Sequence, residues 1–69
     1  MKLKLNLDRI LFERRIRQID LAEQSGLSMG TVNAIANNRY RRIDLETLAK
    51  LCSTLEVPVE QLIVADNDH

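Results

Sequence analysis

Apolar residues recur along this chain with two different periods. At the start, Lys2-Leu3-Lys4-Leu5-Asn6-Leu7 alternates polar and apolar, the period of a half-buried strand. From Leu7 the spacing lengthens to three and four. Leu7, Ile10, Leu11 and Arg14 share one face of a first helix. Asn6 or Asp8 can cap it; it runs to about Arg15, with Ile16 following. A second helix is predicted from Gln18 to Ser25 and a third from Met29 to about Ala36, joined by Gly26, Leu27 and Ser28. A fourth helix begins at the cap Asp44, with Leu45, Leu48, Ala49, Cys52 and Leu55 as its apolar face. Val57-Pro58 breaks it, because proline disfavours helix in the residue before it and suits the start of the next one. A short fifth helix covers Val59 to Ile63, Val64-Ala65 extends as a second strand, and Asp66 to His69 forms a frayed polar tail. The expected fold class is all-α, a compact five-helix domain over residues 1–69, with short strands at its two ends.

The segment from Gln18 to Ile35 is more specific than its periodicity. It reads Gln-x-x-Leu-Ala-x-x-x-Gly-Leu-Ser-x-x-Thr-Val-x-x-Ile. Leu21, Ala22, Leu27, Val32 and Ile35 fall where two crossing helices would bury them, and Ala22 is small where they approach most closely. Gly26 sits where the first of the two must stop and reverse. There glycine adopts the left-handed conformation without a Cβ clash. Ser28 can cap the next helix by accepting a bond from an orphan backbone N–H. This is the helix-turn-helix signature, whose physical use is to seat the second helix in the DNA major groove.

Composition narrows the core. Phe12 and Tyr40 are the only aromatic residues, so the interior must be aliphatic, which suits packed helices. Cys52 is the only cysteine, so no internal disulfide can form. Flanked at helical spacing by Leu48, Leu51 and Leu55, it reads as packing. No apolar run approaches the roughly 20 residues of a membrane span, and Met1 to Asn6 lacks the apolar stretch of a signal peptide. A cytoplasmic protein is expected.

The net charge of zero, taken alone, argues against a nucleic-acid partner. Its distribution argues the other way. Residues 1–42 hold nine Lys and Arg against four acids, a local +5, and residues 43–69 hold Lys50 against six acids. A basic region attracts phosphate whatever the total.

With these residues in view, the chain resembles the lambda-repressor-like DNA-binding domain, in the Cro/Xre group of compact bacterial and phage regulators. The resemblance runs from Asn6 to Ile63. Besides the helix-turn-helix it includes Arg42-Ile43-Asp44-Leu45-Glu46-Thr47-Leu48 and Leu55-Glu56-Val57-Pro58-Val59-Glu60-Gln61-Leu62, which look like the group's fourth and fifth helices. It implies that Gln18 bonds a phosphate, that Met29, Gly30, Asn33 and Ala34 face the bases, and that Thr31 and Asn37 face phosphates. It also implies that the loop residues Arg39, Tyr40, Arg41 and Arg42 contact the backbone. Three positions depart from the group's pattern. Arg17 stands where Ser or Thr often caps, and Asn38 stands where Gly is common, though Asn tolerates the left-handed conformation. The reading face is also poor in long polar side chains, leaving Asn33 as the one residue able to pair with a base edge in bidentate fashion.

The resulting expectation is a sequence-specific regulator, a repressor, acting as a homodimer on a two-fold-related operator in double-stranded DNA. The Lys2–Leu7 segment, paired with Leu62 to Ala65, is a candidate dimer surface; an intramolecular ribbon closing the core is its rival. No cofactor, metal or small-molecule effector is expected. The sole histidine is the last residue, so no histidine base lies within the fold, and an enzyme is not expected. A second reading stays open: an antitoxin-type interaction module whose acidic half docks a basic protein.

Overall fold

The computed structural model describes residues 1–66. In chain order these form strand β1 (Lys2–Leu5), helices α1 (Leu7–Arg14), α2 (Gln18–Ser25), α3 (Met29–Ala36), α4 (Leu45–Leu55) and α5 (Val59–Leu62), and strand β2 (Ile63–Asp66). The two strands pair antiparallel within the chain, from Lys2 opposite Asp66 to Leu5 opposite Ile63. The ribbon is thus intramolecular. Asp66, expected in a polar tail, belongs to β2, because pairing with Lys2 continues the ladder to the end of β1. The rest of that expected tail lies outside the described residues. Ile63 joins β2 instead of α5 for the same reason.

The core is wholly aliphatic. Leu7, Leu21, Val32, Leu51 and Leu62 are its most completely enclosed side chains. Phe12, the larger hydrophobe, is 84% exposed. Helix α2 packs on α3 and α4, and α1 packs on α3. Arg14 shares the face of Leu7, Ile10 and Leu11 for a reason apolarity does not reveal. Its Nη1 donates to the Leu55 carbonyl, one of the unpaired acceptors at the end of α4, where a cation also meets the negative end of the helix dipole.

Helix α4 is rotated from the expected face. Leu48, Leu51 and Leu55 are buried and Cys52 is half-buried, whereas Leu45 is 81% exposed and Ala49 is exposed. Leu51, omitted from the expected face, is fully enclosed. Leu45, Ala49 and Cys52 also keep a three-four spacing, so two overlapping apolar stripes exist and packing against α2 selects one.

Three helices end in the same way. After α1, Arg15 N–H bonds the Phe12 carbonyl and Ile16 N–H bonds the Leu11 carbonyl. Asn38 and Arg39 repeat this pattern on Ile35 and Ala34 after α3; Glu56 and Val57 repeat it on Ser53 and Cys52 after α4. Arg15, Asn38 and Glu56 are left-handed, with φ of 56°, 55° and 55°. This is the Schellman closure, usually built on glycine. The residue after each left-handed position decides what it does. Ile16 packs against the core and Val57 is buried in it, which seals α1 and α4. After α3 that position belongs to Arg39, which is exposed.

Candidate nucleic-acid interface

The α2–turn–α3 unit forms as its residue types require. Gly26 ends α2 at φ 79°, its N–H bonded to the Ala22 carbonyl at 3.1 Å. Ser28 caps α3: its Oγ accepts from Thr31 N–H at 3.1 Å and donates to Thr31 Oγ1 at 2.9 Å. The cap of α2 lacks that device. Arg17 occupies it with no side-chain cap bond. Its guanidinium instead grips Asp20 through two bonds, 2.9 and 3.2 Å long. The hydrogen bond first, and the adjacent charge second, raise the Arg17 pKa above its usual value.

One face, of exposed and half-buried side chains, collects most of the expected site residues. Gln18 opens α2 and Asn33 lies mid-way along α3; Asn33 Nδ2 donates to Gln18 Oε1 at 3.1 Å. Arg39 Nη2 donates to Asn33 Oδ1. Asn37 Nδ2 bonds the Asn33 carbonyl at 3.0 Å, closing the end of α3. Met29 and Gly30 are exposed at the start of α3. Thr31 is half-buried, but its hydroxyl hydrogen is not used by Ser28, which is the donor in that pair. Ala34 is half-buried and lines a shallow groove with Tyr40, Arg42 and Thr47. Arg41 and Arg42 are exposed and make no ion pair among the described residues. By contrast Arg9 faces Glu13 at 3.4 Å along α1.

Tyr40 differs from the rest of its loop. Its hydroxyl accepts from Leu5 N–H at 2.8 Å and donates to Asn38 Oδ1 at 3.1 Å. A tyrosine has one O–H, and here Asn38 holds it. The ring therefore ties the loop to β1. The signal in sequence was only that Tyr40 is aromatic among arginines.

Beyond the loop, Asp44 takes the cap position of α4 in extended conformation. The Thr47 hydroxyl donates to its carboxylate, and that bond is the main cause holding its pKa below the usual value. Among the described residues no group of His, Cys, Asp and Glu could hold a metal ion, and no helix is long and apolar enough to cross a membrane.

Two helices crossing at a glycine turn, with a capped second helix and a basic loop after it, define a helix-turn-helix DNA-binding protein. The pattern of the Cro/C1-type HTH DNA-binding domain matches residues 6–68, and the chain belongs to that family. It is similar to YozG of Bacillus subtilis (strain 168), described as an uncharacterized HTH-type transcriptional regulator. The two are 30% identical over 56 residues, which cover 81% of this chain and 67% of YozG. The chain is a DNA-binding regulator, and the family is not one of enzymes.

Proposed function

We propose that residues 1–69 act as one DNA-binding domain of a transcriptional repressor, working in the bacterial cytoplasm on the nucleoid. A homodimer sets two copies of α3 in successive major grooves of a two-fold-related operator. The observation that carries this reading is the set Gln18–Asn33–Arg39, half-buried at the first two positions and exposed at the third, hydrogen-bonded across α2, α3 and the following loop. Met29, Gly30, Asn33 and Ala34 face bases. Gln18, Thr31 and Asn37 offer donors to phosphate, as do Arg39, Arg41 and Arg42. Tyr40 braces the loop and does not bond DNA through its hydroxyl. Methyl and thioether surface on Met29 and Ala34 suits the thymine C5-methyl, and Asn33 suits adenine, so half-sites centre on A·T pairs.

Gly30 supports the close approach. A Cβ there would meet only Ser28 Oγ, at 4.0 Å. Its φ is not in the left-handed region. Nothing inside the fold requires glycine, which weakens a helix relative to alanine; a nearby external surface would.

Fluorescence anisotropy across salt concentration tests the reading. Contacts to about four to six phosphates per dimer give a log–log slope of roughly −4 to −5. A flat dependence rules out DNA as the main partner, and capture of a protein without DNA affinity favours the antitoxin-type reading.

A further inference from the structure

We infer that Arg39 is a positioning residue for base reading: it selects which edge of the Asn33 amide is offered to DNA. This rests on the proposed placement of α3 in the major groove.

The Gln18–Asn33 contact cannot orient either amide by itself. Each carries one acceptor oxygen and one donor nitrogen. Turning both about their terminal bonds exchanges donor and acceptor and preserves the bond. Arg39 removes that ambiguity. A guanidinium has donors only, so the Asn33 atom it meets must be the oxygen. The nitrogen then faces Gln18, whose oxygen accepts. One orientation satisfies all three side chains.

What remains on Asn33 is one N–H on Nδ2 and one lone pair on Oδ1. Adenine shows N7 as acceptor and N6–H as donor in the major groove, whereas guanine shows two acceptors, N7 and O6. An amide fixed in this orientation pairs with adenine and sets its oxygen against guanine O6. Without Arg39 the two amides can turn together, and the penalty against guanine falls.

The backbone supports the assignment. Arg39 follows the left-handed Asn38, and its N–H bonds the Ala34 carbonyl at 2.8 Å. That bond returns the chain alongside α3, beside the Asn33 turn. At the two equivalent closures the corresponding residue is apolar and packs on the core. Here it is a cation directed at a reading residue. Only one N–H of its five is spent on Asn33, so Arg39 can also hold a phosphate, and the backbone contact and the base contact share one side chain.

The test is selection from a random double-stranded DNA library with wild type, Arg39→Ala, Arg39→Lys and Arg41→Ala. Side-chain amide NMR of Asn33 in the free proteins accompanies it. Wild type should prefer adenine over guanine at one half-site position. Arg39→Ala should cut that ratio about tenfold and shift or broaden the Asn33 amide resonances. Arg39→Lys, still a donor without an acceptor, should retain most of the ratio, and Arg41→Ala should lower affinity without changing it. A wild-type preference that survives Arg39→Ala intact, or Asn33 resonances unmoved by it, overturns the inference alone. A wild type without any base preference overturns the reading of α3 as well.

Discussion

Replacing Gly30 by alanine separates stability from recognition. The added Cβ finds only Ser28 Oγ, at 4.0 Å, an ordinary van der Waals distance, so no steric cost arises in the free protein. Alanine exceeds glycine by about 0.5–1 kcal/mol inside a helix. Gly30 lies in the first turn, just after the Ser28 cap and Met29, so the lower figure applies, about 0.5 kcal/mol. For a domain of this size 1 kcal/mol moves the midpoint by roughly 4–8 °C, which gives a rise of about 2–4 °C. Thermal unfolding by circular dichroism reads it. If DNA approaches α3 here, the same methyl must push a base edge or sugar aside, or meet a thymine methyl, and affinity for the preferred site should fall by about tenfold. A fall in the midpoint would refute the account of the helix start. A raised midpoint with unchanged affinity and preference would refute the close approach.

Three further substitutions test the rotated face of α4 and the cap that starts it. Leu51→Ala should cost about 2–5 kcal/mol in denaturant unfolding, while Leu45→Ala, on an exposed residue, should stay within roughly 0.5 kcal/mol; similar costs would show that the helix faces the core differently. Asp44 has a lowered folded pKa because of the Thr47 hydroxyl, so its contribution is present above the ordinary carboxylate range and is lost as pH falls through the folded pKa. Carboxyl-carbon NMR should find its midpoint below that of an unfolded peptide, and Thr47→Val should raise it; an identical midpoint in both proteins would remove the hydroxyl as the cause.

Much of this architecture is legible in the sequence because it rests on local rules. The turn at Gly26 needs a left-handed residue, Ser28 is a strong cap type, and Pro58 stops what precedes it. These constraints are short-range, so α2 and α3 begin and end as expected. Helix α4 follows no such local rule. Leu45, Leu48, Ala49, Leu51, Cys52 and Leu55 cover so much of its circumference that spacing cannot choose the buried stripe. The closures at Arg15 and Glu56 carry no glycine and so leave no signal in residue type; Ile16 and Val57 entering the core hold them. In the site, residue types identify Gln18, Asn33 and Arg39 one at a time. Their mutual bonds depend on the crossing of α2 and α3 and on the return of the chain after Asn38, which no spacing encodes.

The terminal ribbon bears on how the loop behaves in time. Strands β1 and β2 join nearly opposite ends of the chain, and contacts so distant in sequence form only after the loop-closure entropy has been overcome. Tyr40 is bonded to β1 through Leu5 N–H. Local opening of the ribbon therefore releases the tyrosine that steadies residues 38–42, while α2 and α3, closed by local bonds, stay formed. In native-state hydrogen exchange the amide of Leu5 and those of the ribbon should open as one unit of low free energy, with α3 in a more protected tier. On this basis a change at either end of the chain would alter how long the arginine loop stays poised, without unfolding α3.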